Sequence, residues 1–287
     1  IRRPPRSTHC ISSAASDVYK RQELDLELEQ IINFRQYPID NEVFIEQCAT
    51  ELDKKGVLTL PNFINNETLL ELTIEAKENQ FKAYYAKSTH NIYLTEINTK
   101  LPPDHIFNYQ VISSKGCITT DQIPENSKLK SIYGSIIFKD FLARVVNERK
   151  LYEYTDPFSS INIHYAKENQ ELGWHFDNSN FAVTLLLQKP EAGGEFEYVK
   201  NIRNIKNNDM GYEAVAKIIY KKKKPKKLEI KPGTLVLFRG KNSMHRVTPT
   251  IGNLTRMLVV FAYNAKPGIS LSKTAQKTFY GKTSEDV

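Results

Sequence analysis

Gly173-Trp174-His175-Phe176-Asp177 and, seventy residues after its histidine, Ser243-Met244-His245-Arg246-Val247 decide how this chain is read. His175 and Asp177 are two apart, and residues i and i+2 of a strand point to one face, so both can reach one ion. His245 supplies a third donor from a partner strand. Two imidazoles and a carboxylate in the order His-x-Asp…His cover one face of an octahedral metal and leave three positions open, a set suited to non-haem Fe(II). Arg256 follows eleven residues past the distal histidine, and its always-charged fork matches a carboxylate. Taken singly, each residue has a plainer reading. A lone strand histidine usually belongs to core or surface, and Asp177-Asn178-Ser179 alone would be a turn. Taken together on neighbouring strands, with an arginine at a useful spacing, they favour ligation. The same donors could hold zinc and a water for hydrolysis. Arg256 argues against that, because a hydrolytic zinc needs no cosubstrate anchor.

The strands around these motifs are short and regular. Apolar alternation predicts strands at 160–166, 173–176, 181–188, 195–199, 234–239, 245–249 and 256–263. Turn signals separate them at Lys189-Pro190, Gly193-Gly194, Pro232-Gly233, Gly240-Lys241-Asn242 and Gly252-Asn253. No βαβ alternation is visible, so the class is mainly β with added helices. A double-stranded β-helix (a cupin-like jelly roll) brings distant strands side by side and would unite the two histidines. Upstream, Asp40 or Asn41 caps a helix to about Lys55 with Val43, Phe44, Cys48 and Leu52 inward, and Gly56 ends it. Asn65 or Asn66 caps a second helix to about Gln80 with Leu69, Leu70, Ile74 and Ala76 inward. A strand or hairpin is expected at 84–97, and a helix at 127–148 kinked near Gly134. These make an N-terminal helical layer. Residues 201–227 interrupt the strands as an insertion, with a helix at 209–220.

Bulk properties narrow the class. The formal charge is +7 over 287 residues. Residues 1–22 read as adapter-derived sequence outside the fold: they have no apolar period and no signal-peptide core. They carry five cations against one acid, a net +4, so the remainder falls to +3. The first methionine is Met210, so the natural N-terminus is expected to be missing. Residues 23–287 suit a single domain with core strands at about 158–265. No apolar run approaches the ~20 residues of a membrane span. Beyond residue 22 only Cys48 and Cys117 remain, which gives no disulfide framework and fits a cytoplasmic protein. The run Lys221-Lys222-Lys223-Lys224-Pro225-Lys226-Lys227 has no interleaved aromatic residues, so a solvated loop is expected in preference to a nucleic-acid site.

His-x-Asp…His…Arg, set in Phe238-Arg239-Gly240-Lys241-Asn242-Ser243-Met244-His245-Arg246-Val247-Thr248-Pro249 and closing on Arg256, resembles the Fe(II)/2-oxoglutarate-dependent dioxygenases. Gly56-Val57-Leu58-Thr59-Leu60-Pro61-Asn62-Phe63 before a capped helix is similar to their usual N-terminal pattern. Gly173-Trp174-His175-Phe176-Asp177 and Gly193-Gly194-Glu195-Phe196 make the small-molecule branch of free-amino-acid hydroxylases and radical halogenases the nearest in kind. The resemblance spans about residues 42–281. It implies Fe(II) on His175, Asp177 and His245, 2-oxoglutarate with its distal carboxylate on Arg256, and O2 as the third reactant. Halogenases of this type carry a small residue where Asp177 stands. The carboxylate therefore implies hydroxylation, or a related desaturation, and argues against halogenation.

The remaining assignments follow the resemblance more loosely. Tyr165, ten before His175, and Thr184 in the next apolar strand are expected beside the cosubstrate, with plain core as the competing reading. Trp174, Asn178, Asn180 and Glu195 are candidate substrate contacts. The expected function is an oxidoreductase hydroxylating an unactivated C–H of a small polar molecule, a free amino acid being one candidate. The same chemistry on nucleic acid or protein residues is an alternative, as is a cupin-like metal-binding module without turnover. No membrane partner is expected, and the sequence does not speak to oligomeric state.

Overall fold

The computed structural model describes residues 27–286; the 1–22 segment lies outside them. Helix α1 (Glu42–Lys55) begins where the Asn41 side chain accepts from the Phe44 amide, and it ends at Gly56, whose φ of 75° closes the last turn onto Leu52. Strand β1 (Val57–Leu60) follows. Helix α2 (Asn66–Asn79) is capped in the same way by Asn65, which accepts from the Thr68 amide. Caps and boundaries match the expectation, but the inward faces are rotated. Ile45, Cys48 and Leu52 are buried in α1 and Thr68, Leu72 and Ala76 in α2, whereas Val43, Leu70 and Ile74 are exposed. Both helices carry apolar residues on more than one side, so a stripe count did not decide the face.

Strand β2 (Tyr84–Asn91) pairs along its length with β3 (Gln110–Ile118). Helices α3 (Lys128–Gly134) and α4 (Ile136–Val145) replace the single kinked helix: the chain breaks at Ser135, whose hydroxyl caps α4 on Phe138. The remaining strands are β4 (Ile161–Ala166), β5 (Leu172–His175), β6 (Ala182–Gln188), β7 (Ala192–Gly193), β8 (Phe196–Val199), β9 (Lys226–Leu228), β10 (Leu235–Phe238), β11 (Met244–Val247), β12 (Thr250–Ile251) and β13 (Arg256–Phe261). Helix α5 (Tyr212–Ile219) lies in the insertion and α6 (Lys273–Tyr280) near the end. The main sheet has eleven strands in the order β1-β10-β6-β13-β4-β3-β5-β11-β8-β9, with β2 beside β3, and every pairing is antiparallel. It is a jelly roll covered on one side by the N-terminal helices. The basic run is only partly a loop: Lys226 and Lys227 enter edge strand β9 against β8, and Lys227 pairs with Glu195 at 2.7 Å. Charged residues on an edge strand discourage further pairing.

Strand alternation divides the sheet between two tasks. Ile161, Ile163 and Tyr165 of β4, Val183, Leu185 and Leu187 of β6, and Met257, Val259 and Phe261 of β13 pack in one cluster with α1, α2, α3 and α4. The intervening residues, among them His164, Thr184, Arg256 and Leu258, line a cavity of about 350 Å³ between the two halves of the roll. Tyr165 therefore faces away from the cavity: it is fully buried and its hydroxyl donates to the Ala76 carbonyl of α2 at 2.7 Å. This corrects its assignment to the cosubstrate, since odd positions on β4 face the helical layer. Tyr165→Phe should lower stability by about 1 kcal/mol, the usual worth of one buried hydrogen bond. Thermal unfolding reads that loss, and 2-oxoglutarate affinity should not move; a weakened cosubstrate complex would return Tyr165 to the site.

Candidate functional site

The pairing of β5 with β11 sets His175 directly opposite His245. Their rings stand 4.2 Å apart between centroids. Each Nδ1 donates to the carbonyl two residues back, His175 to Gly173 at 2.8 Å and His245 to Ser243 at 3.0 Å. A ring that donates from Nδ1 leaves its Nε2 lone pair free for a metal. Phe238 meets the His245 ring edge-on at 4.7 Å, and Phe196 packs at 5.5 Å. Asp177 lies just past β5, and its amide donates to the Gly240 carbonyl at 3.2 Å. Its Oδ1 is 3.4 Å from His245 Nε2 and 3.7 Å from His175 Nε2. Donor atoms of all three residues lie within 4.8 Å of one another.

Burial pushes the His175 imidazole down to about 3, with His245 adding to the effect, so the ring is neutral and able to ligate. Burial opposes ionisation of Asp177, but His245, His175 and Arg203 outweigh it and hold the carboxyl below its usual range. Asp177 Oδ2 is buried with no hydrogen-bond partner among the described residues. A buried, ionised, unsatisfied oxygen beside two free imidazole nitrogens is what an absent cation would complete. Gly240 makes the space, since a Cβ there would fall 1.7 Å from Asp177 Oδ2. Arg203 braces the same loop. Its Nε donates to the Lys241 carbonyl at 2.7 Å, its Nη2 reaches the Asp177 carbonyl at 3.4 Å, and its guanidinium lies 4.0 Å from the Phe176 ring centroid.

Arg256 opens β13 and is 6 % exposed. It has no hydrogen-bond or ion-pair partner for its side chain among the described residues, and burial brings it down to about 10, still cationic at neutral pH. Leaving a buried guanidinium unpaired costs several kcal/mol, so the site fits an anion such as the distal carboxylate of 2-oxoglutarate. Gly194 admits the arginine stem: a Cβ there would sit 3.0 Å from Arg256 Cδ. Thr184 lines the same cavity.

The other candidates are not brought together here. Trp174 points opposite to its neighbour His175 and packs with Val199, Val215, Ile218 and Met244, under the Arg246 guanidinium at 4.8 Å. Asn178 and Asn180 are exposed, and Asn180 accepts from Lys241 at 3.2 Å. Glu195 is exposed and paired with Lys227. None of these four lines the cavity. Residues that the sequence reading passed over do: Lys115 and Ser113 of β3, His164 of β4 and His90 of β2. Lys115 Nζ lies 2.7 Å from His164 Nε2 and 3.1 Å from Nδ1. Burial, then Lys115 and Arg256, push His164 well below the usual histidine range. The signal for His164 was present as the odd member of the apolar alternation Ile161, Ile163, Tyr165. Strand β3, with two serines, a lysine and a glycine, offered no such pattern.

Comparisons with known proteins agree with this geometry. A search of curated protein sequences finds no match. Among solved structures, a 2OG-Fe(II) oxygenase family oxidoreductase from Burkholderia pseudomallei is similar over 80 % of this chain and 95 % of its own, at 16 % identity and a TM-score of 0.50. The non-heme alpha ketoglutarate dependent epimerase SnoN from nogalamycin biosynthesis covers 78 % and 84 %, at 11 % identity and 0.53. A prolyl hydroxylase from Trichoplax adhaerens, in complex with a hypoxia inducible factor peptide fragment, covers 80 % and 92 %, at 11 % and 0.51. The fold is therefore that of the iron- and 2-oxoglutarate-dependent oxygenases, which are oxidoreductases, and the donor set and Arg256 fit the iron and 2-oxoglutarate for which those proteins are named. The profile of the Halogenase D family matches residues 40–280, most of the sequence, and the chain belongs to that family.

Proposed function

We propose that this chain is an Fe(II)- and 2-oxoglutarate-dependent oxygenase that hydroxylates an unactivated C–H of a small molecule. The observation that carries the reading is one cavity holding three convergent metal donors and a buried, unpartnered Arg256. His175, Asp177 and His245 would hold iron, and Arg256 the distal carboxylate of 2-oxoglutarate. Iron with 2-oxoglutarate and O2 supplies, when bound, an oxidant able to attack an aliphatic C–H. The protein's own work is to aim the substrate and keep water out. Val236, Phe238, Leu258 and Val260 supply the dry wall, and Phe279 of α6 stands at the cavity edge. A free amino acid is one candidate substrate by likeness of branch. Modified nucleic acid or protein is less favoured, because the cavity is small and its lining mainly apolar. Two buried free thiols, Cys48 and Cys117, fit a cytoplasmic setting. No helix among the described residues is long and apolar enough to cross a membrane.

Hydroxylation is favoured over halogenation, despite the family's name, because Asp177 is present. Its carboxylate would take the coordination position that a halide would need, and Gly240 leaves room for that carboxylate. The products of turnover should gain one oxygen and show no chlorine isotope doublet by mass spectrometry, even in high chloride.

Anaerobic addition of Fe(II) and 2-oxoglutarate should produce a visible charge-transfer band, and Fe(II)-dependent succinate release should follow in air. Absence of both would leave only an inert metal-binding module. Arg256→Ala should weaken 2-oxoglutarate binding roughly 10- to 100-fold while iron is retained, the loss expected for one charge-assisted pair. Gly240→Ala should act on the other ligand: displacing Asp177 should cost about 10- to 100-fold in metal affinity, the scale of disturbed ligand support. Metal titration by calorimetry reads it, and unchanged affinity would show that the carboxylate is not a ligand.

A further inference from the structure

Seven residues other than glycine hold a positive φ among the described residues. Five are asparagines, Asn62, Asn147, Asn169, Asn201 and Asn208, and Lys221 lies just past helix α5. The seventh is Leu94, with φ 54°. Asparagine tolerates the left-handed region because its short side chain bonds locally. Leucine has no such bond to make and meets the full steric penalty of its Cβ. Strain of this kind persists only where the surroundings impose it.

Here the surroundings do. The buried Asn91 side chain accepts from the amides of Tyr93 at 3.1 Å and Thr95 at 3.0 Å, and it donates to the Thr95 hydroxyl at 3.1 Å. The Asn91 carbonyl accepts from the Leu94 amide at 3.2 Å. Ile92 and Tyr93 are buried in one cluster with Phe176, whose amide donates to the Ile92 carbonyl at 3.0 Å. Phe176 stands between His175 and Asp177, so the turn is fastened to the segment that carries two of the metal donors.

Leu94 itself is left out of that packing. It is 37 % exposed and belongs to none of the apolar clusters, yet it lines the metal cavity. Only four residues of the cavity lining are exposed: Ser88, Leu94, Thr278 and Phe279. They mark its mouth. Two of them, Leu94 and Phe279, are large and apolar. A leucine placed there buries little, so packing does not repay its strained backbone.

We propose that Leu94 gates this cavity: with Phe279 at the same rim, its side chain narrows the passage by which small molecules reach the metal donors and Arg256. This rests on the oxygenase reading above and adds the control of access. A gate sets the barrier for entry and exit alike. Removing it changes both rates by one factor and leaves affinity where it was, whereas removing a group that touches the ligand changes the affinity.

The probe is 2-oxoglutarate itself. Anaerobic Fe(II)-loaded protein is mixed with it in a stopped-flow instrument, and growth of the charge-transfer band gives the association rate from its slope with concentration and the dissociation rate from the intercept. In Leu94→Gly and Leu94→Ala both rates should rise about fivefold, with Kd unchanged. Leu94→Gly should unfold thermally at no lower temperature than Leu94→Ala, the reverse of the usual order, because only glycine relieves the positive φ. Rates that stay at the wild-type value in both variants overturn the proposal. So does a changed Kd in both, which would make Leu94 a ligand contact, and so does a Leu94→Gly protein less stable than Leu94→Ala, which would show that no strain is held at the mouth. A wild-type protein that forms no band sinks the oxygenase reading and the gate with it, and this is seen before any variant is compared.

Discussion

The antiparallel pairing of β5 with β11 is the constraint from which the site follows. It places His175 opposite His245, and the backbone on each strand then supplies the carbonyl that fixes the imidazole tautomer. Neither histidine needs a side-chain partner to be oriented: the carbonyl of residue i−2 does it in both cases. A shift of one residue in that register would turn one ring to the outer face of the sheet, into the cluster that now holds Trp174. The aromatic packing of Phe196 and Phe238 against His245 and the Arg203 brace on the Asp177 loop make sense as restraints on that single geometry.

Period-2 alternation extends the same logic across the whole sheet. On β4, β6 and β13 every second residue is apolar and meets the helical layer, and the residues between are free to be His164, Thr184 and Arg256. Stability and chemistry are thus assigned to opposite faces of the same strands. The helices contribute little to the chemistry directly, but they cover the apolar face and allow the inner face to carry polar side chains that would otherwise weaken a core.

This division explains which features were legible in the sequence. Strands β4, β5, β6, β8, β10, β11 and β13 were readable within a residue or two because their alternation is bounded by Gly or Pro turns, whereas the short strands β7, β9 and β12 were not: two of them are two residues long and β9 lies in the lysine run. The His-x-Asp…His set with Arg256 was readable because its spacing is unusual. Tyr165 was misassigned by one position: counting back from His175 by sequence distance ignored parity, and parity puts His164 in the cavity. Trp174, Asn178, Asn180 and Glu195 were chosen for nearness along the chain to His175 or to the glycine turn, which says little about a closed roll whose cavity is built by β2, β3 and β4. Strand β3 was invisible because its cavity face is Ser113 and Lys115, so it shows neither an apolar alternation nor a motif. Polar residues that line a site look in sequence like residues of a loop.

Membership of the Halogenase D family does not by itself decide which reaction follows, because fold and family leave the metal's last positions to a few side chains. Here the deciding contact is between Asp177 and Gly240. A carboxylate at position 177 needs space for Oδ2, and the main-chain turn after β10 comes so close that any side chain on residue 240 would collide with it. The same turn receives the Asp177 amide through the Gly240 carbonyl. Residue 240 thus fixes the carboxylate by backbone and by absence of a Cβ, and the two residues work as a pair: with a small residue at 177, glycine at 240 would have no carboxylate to accommodate. The presence of both argues that the carboxylate is a working part of this metal site.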